Sequence, residues 1–405
     1  MLTVKMAFRN VLRQKRRTVL TGLTMLGGFF LASVSIGWAD GTYNGIIDMF
    51  TRNRTGHVQV HAKGYLDKPT LHKTIDRLDS VVAAIEAVSG VEAWAPRLYA
   101  AGLVSVGKKS GAVKVTGMSP SAERRAMKFS DNVERGVMLP DTACGWTLLG
   151  TGLASVLNAG PGDSAVIVSQ AADGSIANER YYVAGVVESG DPAEDRMAFY
   201  LHLEDARELF VLNGRVHEIA VIAQNTGHAR RLARRIAQRI DNPSVSVQSW
   251  QEFAGSFYSA MQADKQGMYI FLFIIILIVA VGVLNTVLMS VLERRREYGL
   301  LKALGSRPLH VFRLILIETN VLALLSIAAG ALLGLLGNYI LSIHGFTLPE
   351  PITYGGMEFR TMRAEINARS LYIPALTVLV VATVVSTFPA LRAAHTDPAE
   401  TMRAQ

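Results

Sequence analysis

The chain has 405 residues, 50% of them hydrophobic, with a formal net charge of +8 and one cysteine. Its mean hydropathy of +0.26 is high for a soluble protein and low for one lying wholly in a membrane. A few spanning helices joined to a large water-soluble part fit these values. A single cysteine excludes an internal disulfide and a cysteine zinc site. Much of the basic excess adjoins hydrophobic segments, which favours a membrane-orientation signal over a nucleic-acid footprint.

Residues 1–17 form a basic arm that precedes 21 uncharged residues at 18–38. A cleaved signal peptide has the same order of basic and apolar segments, but its apolar core usually spans about 7–15 residues. The run here is longer, with Trp38 near its outer end and Asp40 just beyond it. The pattern predicts an uncleaved first spanning helix with the N-terminus in the cytoplasm.

The region from 41 to 265 contains no segment long and apolar enough to span a membrane. Alternating residues at 56–62 predict a strand, and 76–89 has the spacing of an amphipathic helix. Helix and strand patterns alternate at both ends of the region, while strands dominate its middle. We therefore predict an α+β domain of two subdomains, one inserted in the other.

Three further apolar segments are long enough to cross a hydrocarbon layer of about 30 Å. They are residues 268–292, 314–343 and 371–388. Basic residues at 293–313 mark the cytoplasmic side, residues 344–370 form a polar external loop, and the tail 389–405 returns to the cytoplasm. The sequence thus predicts an α-helical membrane protein with four transmembrane helices, plus a large extracytoplasmic α+β domain inserted between helices 1 and 2.

The segment after the second span combines charge with an apolar stripe. Leu300, Leu301 and Leu304 follow helical spacing, and Gly305 supplies a left-handed stop before Pro308 opens a new helix. A short helix at the cytoplasmic end of a spanning helix is well placed to pass movement from a cytoplasmic partner into the membrane.

This segment, ERRREYGLLKALGS, resembles the E-R-x-R-E-I-G-x-L-K-A-I-G-A-[ST] pattern of the MacB/FtsX superfamily of ABC transporter permeases. The tail FPALRAAHTDPAETMR and the arm AFRNVLRQKRRTVLT resemble family segments at the same places, and the order of spans and external domain matches. Blocks of the external domain such as VTGMSP are most similar to the LolC/LolE branch. Tyr298, the Arg307-Pro308 pair and Met402 depart from the family pattern.

The resemblance implies a transport permease and not an enzyme, with no cofactor in this chain. Two such chains, identical or paralogous, would bind a cytoplasmic ABC ATPase dimer that holds ATP and Mg²⁺. The implied contact residues are Glu293, Arg294, Arg296, Glu297, Gly299, Leu300, Leu301, Lys302, Leu304 and Gly305. We expect the charged residues to set the register and the three leucines to be buried in the partner's groove. Alternatively, the arginines only hold the membrane edge through headgroup attraction.

The implied function is ATP-driven release or export of lipoprotein or other lipid-linked cargo from the inner membrane. The alternatives are an FtsX-like, non-transporting protein that activates a periplasmic partner, and a MacB-like exporter of small molecules or peptides. The further partners that we expect are a periplasmic carrier or effector protein and membrane lipid, with no nucleic acid.

Several residues within the spans carry weaker signals. Asn285 is expected to hydrogen-bond across a permease dimer or to a helix of its own chain. Gly330 and Gly334 form a small-xxx-small pair that lets helices approach closely, unless they are merely tolerated in an apolar helix. Glu318 and Asn320 lie near enough to the cytoplasmic face to reach lipid headgroups.

Three features of the external domain resemble sites without meeting their requirements. The stretch 102–109 is close to a phosphate-binding loop, but Lys109 replaces the hydroxyl residue that would hold magnesium, which favours a strand ending in a basic turn. His57 and His61 share one strand face without a third metal ligand nearby, so ordinary strand histidines are favoured. The arginine-rich helix 227–240 fits a solvated face, or else contact with headgroups or a partner.

Overall fold

The computed structural model describes Arg9 and residues 15–127, 129–354 and 356–396. Most of the basic arm predicted at 1–17, and the end of the tail predicted at 389–405, therefore lie outside the described residues. The chain divides into two compact units. The first comprises residues 1–45, 262–348 and 361–405, and the second comprises residues 46–261 and 349–360.

The described residues form twelve α-helices and twelve strands. The helices are α1 Lys15–Phe50, α2 Leu78–Glu86, α3 Pro120–Ala126, α4 Thr151–Leu157, α5 Pro192–Asp195, α6 Leu203–Leu209, α7 Ala229–Ile240, α8 Trp250–Phe253, α9 Gly255–Glu293, α10 Arg295–Ala303, α11 Pro308–His344 and α12 Arg369–His395. The strands are β1 Val58–Ala62, β2 Val91–Val106, β3 Lys109–Met118, β4 Val133–Gly136, β5 Trp146–Gly150, β6 Ser164–Gln170, β7 Ile176–Val187, β8 Ala198–His202, β9 Glu218–Ala223, β10 Val245–Ser249, β11 Phe346–Tyr354 and β12 Met357–Met362.

Four of these helices, α1, α9, α11 and α12, are long and apolar enough to span a membrane. With the α+β domain that follows α1, they confirm the predicted fold class. The helices extend beyond the apolar segments: α1 continues past Asp40 to Phe50, and α9 begins at Gly255. Asp40 lies inside α1, and its carboxylate accepts hydrogen bonds from Asn367 at 2.9 Å and Arg369 at 3.2 Å. The ends of α1 and α9 therefore do not coincide with the ends of the apolar segments found in the sequence.

The core of the first unit lies where α1 packs between α9 and α11. Met25 and Phe29 of α1 are fully buried there, together with Val279 and Val283 of α9 and Ala323 of α11. Leucine and isoleucine side chains of the same helices remain exposed, as expected of surfaces that meet lipid tails.

The strands of the second unit form one ten-stranded sheet in the order β10-β1-β9-β2-β3-β8-β5-β7-β4, with β6 paired to β2 and β7. β1, β9 and β10, from the two ends of the domain's sequence, lie together at one end of the sheet. Strands from the middle of that sequence form the other end, and β2 and β3 join the two groups. Helix α7 packs on β10 and β1 and covers one face.

The segment 344–370, predicted as a polar loop, contains the paired strands β11 and β12. Its residues 349–360 belong to the second compact unit. Within that unit, Glu358 N donates a hydrogen bond to the carbonyl oxygen of Gly190 at 3.0 Å, and the ring of Tyr354 lies edge-on to Phe257 with centroids 5.5 Å apart. Residues 349–354 and 356–360 are thus part of the second unit.

Candidate coupling site

The junction between α9 and α10 is a single non-helical residue, Arg294. Its Nε donates to Glu297 at 2.8 Å, and its Nη1 donates to both carboxylate oxygens of Glu318 on α11, at 3.1 and 3.0 Å. Only 9% of the Arg294 side chain is exposed. Arg294 is therefore not the surface charge that the sequence suggested, and Glu318 pairs with it instead of reaching headgroups. Removing one partner of this partly buried pair should cost about 1–3 kcal/mol.

The guanidinium of Arg294 stays charged in this setting. Burial alone would lower its pKa, but the neighbouring Tyr298, Glu318 and Glu297 raise the pKa above its ordinary value. The ion pair therefore ties the start of α10 to α11.

The inner face of α10 is anchored by an aromatic side chain. Tyr298 is 3% exposed and packs in the apolar cluster that also contains Val291 and Val311, with Leu301 packed against it. The departure from the family pattern at Tyr298 thus fills a core position. Leu301 packs partly against the chain's own core, so less of its side chain is available to a partner than the sequence predicted.

The other end of α10 is held by Lys302. Its Nζ donates to the carbonyl oxygens of Ala394 at 2.8 Å and Thr396 at 2.6 Å. These carbonyls lie at the C-terminal end of α12, where main-chain acceptors lack helical partners and the helix dipole favours a cation. Lys302 therefore joins α10 to α12.

A tight turn separates α10 from α11. Gly305 adopts φ +92°, and Ser306 N donates to the carbonyl oxygen of Leu301 at 3.0 Å. Pro308 occupies the first turn of α11, where its missing N–H is not needed. A residue with a side chain would be strained at Gly305.

The outer face of α10 exposes two leucines: Leu300 is 56% exposed and Leu304 is 77% exposed. Because they are four residues apart, they share one side of the helix end, which we call the leucine face. Arg295 and Arg296 are also exposed. The structure thus presents a small apolar surface beside basic residues, on a helix fixed to both α11 and α12.

Gly330 and Gly334 of α11 face α1 within the same chain. A Cβ on Gly330 would come within 2.9 Å of Phe29, and one on Gly334 within 2.6 Å of Ser33 Oγ. These glycines therefore allow close packing of α1 and α11. Asn285 is exposed on α9, and its amide forms no hydrogen bond with any described residue.

The side-chain amide of Asn320 forms its hydrogen bonds within the chain. Its Nδ2 donates to the carbonyl oxygen of Leu316 at 2.8 Å, and its Oδ1 accepts from Thr383 of α12 at 2.9 Å. It joins two spanning helices, and the expectation that it reaches headgroups is wrong.

The three features of the external domain that resemble functional sites are ordinary elements of its fold. The near-match to a phosphate loop forms the hairpin between β2 and β3, with Gly107 at φ +58°. His57 is fully buried; its Nδ1 accepts from Ala223 N at 3.0 Å, and burial lowers its pKa to about 4. Within the described part of the chain, no group of three His, Cys, Asp or Glu residues could hold a metal. The arginines of α7 are exposed.

Two family models match this chain: the MacB-like periplasmic core domain at residues 18–239 and the FtsX-like permease C-terminal domain at residues 269–398. The lipoprotein-releasing system transmembrane protein LolC of Neisseria meningitidis is 23% identical over 365 residues, covering 87% of this chain and 86% of that protein. An uncharacterized ABC transporter permease of Methanocaldococcus jannaschii is 22% identical over an alignment of 409 residues, covering 99% of this chain and 98% of the relative.

Among solved structures, the periplasmic region of MacB from Actinobacillus actinomycetemcomitans matches with a TM-score of 0.36 and 14% identity, covering 51% of this chain and 95% of that one. The first family model alone covers more than half of this chain, and the second covers most of the C-terminal spans. The family predicted from the sequence motifs is thereby confirmed. The chain belongs to the MacB/FtsX family of ABC transporter permeases and is a multi-pass membrane protein.

Proposed function

We propose that this chain is the transmembrane subunit of an inner-membrane ABC transporter, and that its leucine face binds a separate cytoplasmic ATPase carrying ATP and Mg²⁺. The observation that supports this most is the exposure of Leu300 and Leu304 on a helix that is attached to both α11 and α12. Exposed leucines beside arginines form the apolar centre and charged rim of a protein interface.

The attachments of α10 suit it to transmit movement. A displacement imposed on the leucine face acts on α11 through the Arg294–Glu318 pair, and on α12 through Lys302. Tyr298 prevents the helix from rolling, because its ring is packed in the core of the first unit. The proposed role of α10 is that of a rigid connection between the ATPase and the spanning helices.

The proposed orientation places residues 293–313 and both termini in the cytoplasm and the large domain in the periplasm. We also propose that two permease chains, identical or paralogous, act together. Asn285 supports this, because an exposed amide in an apolar spanning helix is costly unless another helix supplies a hydrogen-bond partner.

The proposed cargo is lipoprotein or another lipid-linked molecule, handed to a periplasmic carrier protein. Similarity to LolC of a lipoprotein-releasing system supports this cargo. In this mechanism, ATP binding and hydrolysis in the partner move the large domain mechanically, and no solute crosses a pore through this chain.

The test is reconstitution of the permease with its ATPase in proteoliposomes that contain an acylated lipoprotein. We expect ATP-dependent transfer of the lipoprotein to the soluble fraction when a carrier is present, and none with an ATPase that binds but does not hydrolyse ATP. If ATP hydrolysis proceeds without lipoprotein release and instead activates a periplasmic hydrolase, the FtsX-like function replaces this proposal.

A further inference from the structure

Helix α7 of the large domain carries five arginines and no acidic residue. All five are exposed: Arg230, Arg231, Arg234, Arg235 and Arg239. On the opposite side of the helix, Leu232 and Ile236 are buried where α7 packs on β10 and β1. The helix is therefore attached to the domain by one side and presents a strongly basic surface on the other.

The charge of this surface is not neutralised by the chain. Three pairs of the arginines are four residues apart, so neighbouring side chains on the helix carry the same charge and repel each other. None of the five forms an ion pair with a carboxylate of the described residues. An anion supplied from outside the chain would therefore relieve the repulsion.

Two of the arginines hold the helix in place. Arg235 Nη2 donates to the carbonyl oxygen and the hydroxyl of Ser89, both at 2.6 Å. The guanidinium of Arg230 lies 5.1 Å from the centre of the Tyr258 ring, within the range of a cation–π contact. The guanidinium groups of the other three donate no hydrogen bond to any residue that the structure describes. We call these three, Arg231, Arg234 and Arg239, the arginine face.

The donors of the arginine face suit phosphate groups. Every basic residue of α7 is an arginine, and the helix contains no lysine. A guanidinium presents a planar fork of N–H donors that matches two oxygens of a phosphate, and it is more weakly hydrated than an ammonium group. An array of exposed guanidinium groups is therefore better suited to several phosphates on a surface than to one carboxylate.

The length of α9 limits how far this surface can lie from a bilayer. Tyr258, on which Arg230 stacks, belongs to α9, and the apolar segment of the same continuous helix begins ten residues later at Met268. Ten helical residues extend about 15 Å. The headgroup layer occupies about 5–8 Å of that length, so about 7–10 Å remain along the helix. This is close to the Debye length of about 8 Å at physiological ionic strength, so headgroup charges are only partly screened.

We propose that the arginine face of α7 binds anionic phospholipid headgroups of the bilayer that α9 enters. The three guanidinium groups contact the phosphates, while Arg230 and Arg235 keep the helix on its domain. Charge complementarity supports a lipid surface, because anionic headgroups supply many phosphates to one basic helix. The contact is independent of the ATPase and the cargo proposed above, since it needs only the large domain and a bilayer.

The test measures contact between α7 and headgroups in the full chain, held in lipid nanodiscs. Gln238→Cys, combined with Cys144→Ser, places one bimane label on the exposed side of α7, because residues 231, 234 and 238 follow helical spacing. A phosphatidylcholine tracer with a nitroxide on its headgroup quenches the label at short range. We expect at least about two-fold more quenching with about 30% phosphatidylglycerol than in phosphatidylcholine alone. The excess should disappear in about 1 M salt, where the Debye length is about 3 Å.

Changing all three residues of the arginine face to Gln should abolish the excess quenching. The matched control changes Arg125, Arg135 and Arg180 to Gln, which removes the same charge from exposed positions outside α7 and should keep the excess. Equal quenching in the two lipid compositions, or an excess that persists without the arginine face, overturns the proposal. Loss of the excess on adding inorganic phosphate at constant ionic strength also overturns it, because the face would then take a soluble anion. The lipid comparison keeps all the arginines, so it stands even if the triple variant fails to fold.

Discussion

The leucine face gives the sharpest test of the proposed ATPase contact. Leu304 is 77% exposed, so its burial in a partner would contribute about 2 kcal/mol of the 1.5–3 kcal/mol expected for a fully buried leucine. Leu304→Asp removes this contribution and places an unpaired carboxylate in the interface, which costs about 2 kcal/mol more. The combined loss of about 4 kcal/mol corresponds to a roughly 1000-fold weaker contact. Leu300→Asp should act in the same way.

The assay is co-purification of the ATPase with the tagged permease from detergent-solubilised membranes. Because the leucine face contacts little of the chain itself, both variants should reach the membrane in normal amounts. Val156→Asp, at an apolar position of α4 that is 52% exposed, is the matched control and should retain the ATPase. Leu301→Asp should instead lower the amount of folded permease, since Leu301 packs inside. Normal ATPase stoichiometry in the Leu300 and Leu304 variants would refute the reasoning.

Two further predictions concern stability. Gly334→Val should lower the free energy of unfolding by about 1–3 kcal/mol, because its Cβ would lie 2.6 Å from Ser33 Oγ. Gly27→Val is the control, because a Cβ there would meet open space, and it should leave the free energy of unfolding unchanged. Thermal unfolding in detergent compares the two variants. Burial lowers the pKa of His57 and His217 to about 4, from 6.5 when unfolded. The folded state favours the neutral form of each imidazole, so each contributes fully to the stability of the fold above pH 6.5. This contribution, about 3 kcal/mol for each histidine, is lost as the pH falls towards 4. Unfolding temperatures that stay constant over this range would contradict the shifts.

Local patterns predicted what depends on neighbours in the sequence. Uninterrupted apolar segments predicted the four spanning helices, and the order of Gly305 and Pro308 predicted the turn after α10. The family followed from motifs of the same local kind. The hairpin at 346–362 escaped prediction because prolines interrupt the alternation by which a strand is recognised.

Contacts between distant residues could not be predicted in this way. Arg294 and Glu318 are 24 residues apart, and Asp40 and Arg369 are 329 residues apart, so no spacing rule links them. The apolar stripe of α10 likewise does not show which leucine faces inwards, since the difference between Leu301 and its neighbours depends on where α11 and α12 lie. Contacts between residues far apart in the sequence therefore determine which of the predicted contact residues remain exposed.

The close approach of α1 and α11 constrains how this permease can move. Asn338 of α11 is fully buried, its Nδ2 donates to the carbonyl oxygen of Ser33 at 3.3 Å, and a Cβ on Gly37 would lie only 2.3 Å from its Oδ1. Sliding one helix along the other would drive Asn338 into the backbone of α1. We therefore expect these two helices to move together in the proposed transport cycle, with any sliding confined to other helix boundaries.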